Sequence, residues 1–213
     1  MQLNEAIENN LAWAAKRVEE DPMFFKRLAR SQKPSILYIG CSDSRVAAEE
    51  LLGAGPGDLL VHRNIANLIP NNDHSSNTVI NFAIHDLGVK NIVVCGHYGC
   101  GGVFAAMQST DLGNLTSWLQ NIRDVYRLHS VELDSIENEE TRYRRLVELN
   151  VYEQCINLLK IAEVQNAYCS TNLIIAGWVF DMATGRIADL KLDIEKIVGS
   201  IRDIYSIAEK VEI

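Results

Sequence analysis

Two short apolar runs, each closed by glycine and followed by a side chain able to bind a metal, limit this chain more than any other feature. Ile92-Val93-Val94-Cys95-Gly96 leads into His97-Tyr98-Gly99-Cys100-Gly101-Gly102, and Ser35-Ile36-Leu37-Tyr38-Ile39-Gly40 leads into Cys41. Runs of this kind are what a strand buried on both faces shows. The first is expected to stop at Gly96, placing His97 and Cys100 in a glycine-rich turn. In an open α/β sheet, reactive groups collect outside the carboxyl ends of neighbouring parallel strands, so residues about 55 apart in sequence can meet there.

An imidazole and a thiol three residues apart can share one metal ion. Zinc takes four tetrahedral N/S ligands, so a third donor is needed, and Cys41 is the obvious candidate. Cys41, His97 and Cys100 together leave one coordination position to something else.

The rest of the chain narrows the function class. At 213 residues a single domain is the default, read as a helical arm over 1–33, an α/β core over 34–192 and a C-terminal helix over 193–213. A net charge of −8 argues against a nucleic-acid partner. The densest basic group, Arg142, Arg144 and Arg145, follows an acidic run and reads as a solvated helix face. No apolar run approaches a membrane span, and the N-terminus does not look like a targeting peptide, so no membrane partner and a cytoplasmic location are expected. Five cysteines in such a chain read as reduced thiols, some of them ligands.

Along the chain, Leu3, Ile7, Leu11, Ala14 and Val18 form one apolar stripe on a helix over 3–20, and a short helix follows Asp21-Pro22. This arm precedes the sheet and packs either on a sister subunit or on its own domain. Ser42 to Leu52 reads as a short helix capped by its polar start. A loop then leads to a strand over 59–62, Asn64 to Asn77 reads as polar loop, and Thr78 to Leu87 as a helix closed by Gly88. Helices follow from Val103 to Gln108, around Leu115 to Tyr126, and from Arg142 to Tyr168 throughout. Asn172 to Phe180 is a strand, Arg186 to Leu192 one that can return antiparallel, and the end from Ile194 is helical.

Cys41-Ser42-Asp43-Ser44-Arg45, His62-Arg63-Asn64 and His97-Tyr98-Gly99-Cys100-Gly101-Gly102 together resemble the β class of carbonic anhydrases, and the similarity runs through nearly the whole chain. The C-x-D-S-R and H-x-x-C pair at this separation is specific; a lone H-x-x-C is not. The resemblance implies a mainly parallel sheet of four parallel strands plus an antiparallel edge strand, flanked by helices. It implies one Zn2+ per chain on Cys41, His97 and Cys100, and reversible hydration of CO2 to bicarbonate. It also implies a homodimer or homotetramer with the site at a subunit boundary, where Phe82 or Tyr98 meets a neighbour. Asp43 is known in the family in two states, paired to Arg45 or itself on the metal, and Arg45 is the group suited to hold it away. One subtype has a bicarbonate effector site of Trp, Arg and Tyr. Here Arg63 matches, but Tyr38 and Phe180 replace the other two, which implies a degenerate effector site. Ala47 stands where relatives usually have proline.

Rival readings differ in what they demand. A cysteine phosphatase needs five residues between Cys and Arg, and Cys41 to Arg45 leaves three. A structural-zinc interaction module needs a closed four-ligand site, which permanent Asp43 ligation would give. Hydrolysis of carbonyl sulfide or carbon disulfide would use the same zinc. Cys95, Cys155 and Cys169 read as packing residues, His62 as a structural histidine, and Trp13, Trp118 and Trp178 as core or interface.

Overall fold

The computed structural model describes residues 1–205 and 207. In chain order, Leu3–Glu20 forms α1, Phe24–Leu28 α2, Ile36–Cys41 β1, Ala48–Leu52 α3 and Leu59–Asn64 β2. A 3-10 turn at Ile65–Asn67 precedes α4 (His74–His85) and β3 (Asn91–His97). Next come α5 (Gly101–Met107), α6 (Asn114–Leu128), α7 (Ser130–Asp134), α8 (Glu139–Leu159) and α9 (Ala162–Ser170). β4 (Ile174–Asp181), β5 (Arg186–Asp189) and α10 (Ile194–Tyr205) complete the described elements. Of the expected C-terminal helix, residues 206 and 208–213 lie outside the described residues.

The strands form one sheet in the order β2-β1-β3-β4-β5. β2, β1, β3 and β4 run parallel, and β5 pairs antiparallel with β4 at the edge. Alternation along each strand splits the core. Leu37, Ile39, Ile92 and Val94 join the large cluster under α4, α5, α6, α8 and α9, whereas Tyr38, Val93, Cys95 and Phe180 form a smaller cluster with Val46 and Ala48. On that second side Ile36, Val61, Trp178 and Ile187 are only half-buried.

Several boundaries depart from expectation, each for a local reason. β3 runs one residue past Gly96, because His97 still pairs with Phe180 of β4. Residues 42–47 are not helical: the Asp43 carboxylate accepts the Arg45 backbone N–H at 3.0 Å, closing a turn that competes with a helix start. The helix begins only at Ala48, after an N-cap, Ala47, that has no side-chain cap.

Within the supposed loop 64–77, the 3-10 turn forms, and the Asp73 carboxylate caps α4 by accepting from Ser75 N and Ser76 N, so that helix starts four residues early. The long helix expected over 142–168 breaks at Lys160–Ile161, where Gln165 Nε2 donates to Leu159 O at 3.0 Å and satisfies an end carbonyl. β5 stops at Asp189, whose carboxylate accepts the Lys191 N–H at 2.9 Å as the chain turns through φ +48° at Lys191.

The basic group on α8 is not a solvated face. Arg144 lies over the Tyr98 ring at 3.5 Å and pairs with Asp181, and Arg145 is held between Glu132 and Glu148. All three arginines are partly buried.

Candidate metal centre

Cys41 ends β1 level with Asn64 of β2, and His97 ends β3 on the other side of β1. The chain steps outward from β1 to β2 and then crosses back to β3. Direction therefore reverses between β1 and β3, at the crevice where open α/β sheets collect their ligands. After His97 the chain must turn sharply. Gly99 does so at φ +78°, and Cys100 becomes the N-cap of α5.

The three side chains converge. Cys41 Sγ and Cys100 Sγ are 3.9 Å apart, and with a His97 ring nitrogen all three donor atoms lie within 4.8 Å of one another. Two zinc–sulfur bonds of about 2.3 Å at the tetrahedral angle set their sulfurs about 3.8 Å apart, so the thiol spacing fits that ion. His97 is fully buried. Its Nδ1 lies 3.1 Å from Tyr98 O, and because a carbonyl only accepts, Nδ1 carries the proton. Nε2 is left as a buried lone-pair nitrogen with no hydrogen-bond partner among the described residues. Such an orphan needs an explanation, and metal ligation supplies one.

The thiols call for a cation as well. The neighbouring Cys100 holds the Cys41 thiol well below the usual range against the effect of burial, with His97 and the Ala66 amide adding to it. In turn, Cys41 and burial push Cys100 up. One thiolate suppresses the other, and a bound dication removes that conflict.

Asp43 stands at the rim, beside the three-donor cluster and outside it. Arg45 Nε donates to Asp43 Oδ1 at 2.9 Å and Nη2 to Oδ2 at 2.7 Å, a two-pronged grip. Nη2 also donates to Gly99 O at 3.2 Å, tying the pair to the turn between His97 and Cys100. This guanidinium holds the Asp43 carboxyl well below the usual carboxylate range. Asp43 Oδ2 lies 3.9 Å from His97 Nε2.

Comparison with known proteins agrees with this geometry. The family model described as carbonic anhydrase matches residues 36–187. A carbonic anhydrase of Emericella nidulans is 52% identical over 207 residues, 97% of this chain and 91% of that protein. A solved β-carbonic anhydrase of Aspergillus fumigatus superposes with a TM-score of 0.89 at 39% identity, covering 95% of this chain and 97% of that one. A tetrameric β-carbonic anhydrase of Sordaria macrospora is also similar, with a TM-score of 0.86 at 39% identity over 89% of this chain and 96% of that one.

The chain belongs to the β-carbonic anhydrases.

In that setting the remaining expected positions can be placed. Tyr38 and Phe180 pack together in the smaller core cluster with Cys95. The Tyr38 hydroxyl is buried without a hydrogen-bond partner among the described residues. Arg63 is engaged elsewhere: Nε donates to Cys41 O at 2.8 Å and Nη2 to Asp43 O. Tyr98 finds its partner within its own chain, its hydroxyl donating to Glu148 Oε1 at 2.7 Å, while Phe82 is exposed. The His62 ring lies beside Asn64, whose Nδ2 is 3.3 Å from its Nε2.

Sequence reasoning missed the residues that brace the ligands. Tyr143 Oη donates to Cys100 O at 2.9 Å, and Ala66 N–H donates to Cys41 Sγ at 3.4 Å. The one available signal lay in Asn150 and Gln154, polar residues one turn apart in a helix that otherwise buries apolar side chains.

Proposed function

We propose that this β-carbonic anhydrase catalyses the reversible hydration of CO2 to bicarbonate and a proton, with one zinc held by Cys41, His97 and Cys100. The observation carrying this is the buried three-donor cluster with Asp43 withheld from it by Arg45. When bound, zinc acidifies a water molecule and so supplies hydroxide for attack on CO2 near neutral pH. The chain's own part is to position. His97 presents the lone pair of Nε2 because its Nδ1–H donates to Tyr98 O, and burial of both thiols keeps competing solvent away from the sulfurs. Arg45 keeps the Asp43 carboxylate from becoming a fourth ligand. That leaves a three-ligand set, which is the catalytic pattern and not the closed structural one.

Other parts of the reading follow from packing. Arg63 is committed to the carbonyls of Cys41 and Asp43, the Tyr38 hydroxyl is buried, and Phe180 has no hydroxyl to offer an anion, so we read the effector site as lost. The apolar stripe of α1 and the half-buried sheet face support a homo-oligomer, as in the tetrameric Sordaria relative. Residues 34–192 serve as the catalytic unit, flanked by the helical arm over 1–33 and by α10. Five cysteines with no disulfide among the described residues suit a reducing, cytoplasmic setting.

The test joins zinc analysis to kinetics. One zinc per chain is expected, with a CO2 hydration rate that climbs from pH 7 to 9, because two of the three donors are anionic thiolates that lower the effective charge of the metal. A flat rate from pH 6 to 9 counts against it. Zinc without turnover at any pH would instead mark a structural site. Arg45→Ala frees the carboxylate, so hydration should fall on the order of 10- to 100-fold while zinc content holds. Full activity in that variant removes Arg45 from the mechanism.

A further inference from the structure

The turn Ile65–Asn67 touches every segment that carries a ligand. Ala66 N–H donates to Cys41 Sγ at 3.4 Å. A Cβ placed on Gly102, two residues beyond Cys100, would stand 2.8 Å from Ile65 Cγ2 and 3.3 Å from Ala66 Cβ. One placed on Gly96, just before His97, would stand 3.4 Å from Asn67 Oδ1. The turn takes this position in a strained form: Ala66 has φ 65° and Asn67 φ 50°, two successive left-handed residues of which neither is glycine. Backbone of this kind persists only where its surroundings over-determine it.

A buried amide pair on α8 does so. Asn150 Nδ2 donates to Ala66 O at 3.0 Å, and Gln154 Oε1 accepts from Ile69 N–H at 2.7 Å. Gln154 Nε2 also donates to Asn150 Oδ1 at 3.2 Å, so the two side chains fix each other. Both are 1% exposed. Their partners are the carbonyl between the two strained residues and the amide two residues beyond them, which pins the turn at its middle and at its exit.

We propose that Asn150 and Gln154 are positioning residues of the metal centre: they hold Ala66 in its left-handed conformation so that its N–H faces the Cys41 sulfur. The inference rests on the zinc reading above. A hydrogen bond to a thiolate ligand draws charge from the sulfur and fixes its lone pairs, and losing such an outer partner commonly changes metal affinity about 10- to 100-fold.

Cobalt(II)-substituted protein reports on the sulfur through its thiolate-to-metal charge-transfer band. Asn150→Leu removes the donor at similar volume. The band should move to lower energy, and zinc should be lost to a chelator on the order of tenfold faster, with far-ultraviolet circular dichroism unchanged. Ala66→Gly added to Asn150→Leu lets the turn adopt its φ without the clamp, and should restore the band and slow zinc loss again. Should Asn150→Leu fail to fold, Gln154→Met carries the same comparison. An unmoved band, or a shift that Ala66→Gly does not reverse, overturns the proposal. Wild-type protein that takes up neither zinc nor cobalt removes the zinc reading, and is told apart because it needs no variant.

Discussion

Five thiols share this chain, and their surroundings divide them by chemistry. Burial pushes Cys95 up to about 11 and Cys155 to about 12, whereas Cys41 is held below the ordinary thiol range. A thiol whose titration is pushed that far up is almost wholly protonated at pH 7.5, and only the thiolate alkylates. Zinc-stripped native protein treated with iodoacetamide should therefore be modified first at Cys41, with Cys95 and Cys155 intact until denaturant is added. Peptide mapping by mass decides it. Modification of Cys155 as fast as Cys41 would contradict the burial assigned to it. The same shifts bear on stability. Cys95 and Cys155 keep their protons in the native state to higher pH than in the unfolded chain, so their contribution is complete below the ordinary value of 9.0 and is lost as pH rises toward 11 and 12. Denaturant midpoints should accordingly fall above pH 9.

Among the elements, α8 decides how closely the helical layer approaches the sheet. A Cβ on Gly96 of β3 would stand 2.7 Å from Val151 Cγ2, and one on Gly177 of β4 3.0 Å from Val151 Cγ1. The two glycines thus let Val151 settle against adjacent strands. Gly96→Ala forces that side chain outward, at a cost of about 1–3 kcal/mol, and adding Val151→Ala should recover part of it. Denaturant unfolding of the single and double variants checks this. No recovery would mean that the strand, and not the helix contact, requires glycine.

β1 and β3 were legible because short apolar runs closing on Gly40 and Gly96 leave few alternatives, and Cys41 and His97 were legible because they follow those glycines directly. What stayed hidden depends on particular side-chain bonds that periodicity does not register, some local and some distant in sequence. Asp43 turns residues 42–47 out of a helix through its bonds to Arg45. The 3-10 turn that braces Cys41 takes its shape from Asn150, 84 residues away. The break between α8 and α9 carries neither glycine nor proline.

At the scale of the whole molecule, two apolar surfaces in one chain remain short of partners. α1 buries none of its residues, and Ile7 and Leu11 on its stripe are 63% and 65% exposed. Trp13 is spent on its own arm, edge-on to Phe25 at 5.5 Å. Across the sheet, Ile36, Val61, Trp178 and Ile187 leave one face half-covered, although parallel strands are normally covered on both. Exchange of arms between two copies would satisfy both surfaces, because an 18-residue amphipathic helix draws most of its stability from packing its apolar face. Burying one Ile or Leu side chain contributes about 1.5–3 kcal/mol, so removing two weakens association by on the order of 10²- to 10⁴-fold. Ile7→Glu combined with Leu11→Glu should thus sediment as a smaller species than the wild type at micromolar concentration, with the zinc content of each chain unchanged because no ligand lies on the arm. Equal sedimentation of the two proteins would show that the stripe faces its own chain or solvent, and the association would have to be sought on another surface.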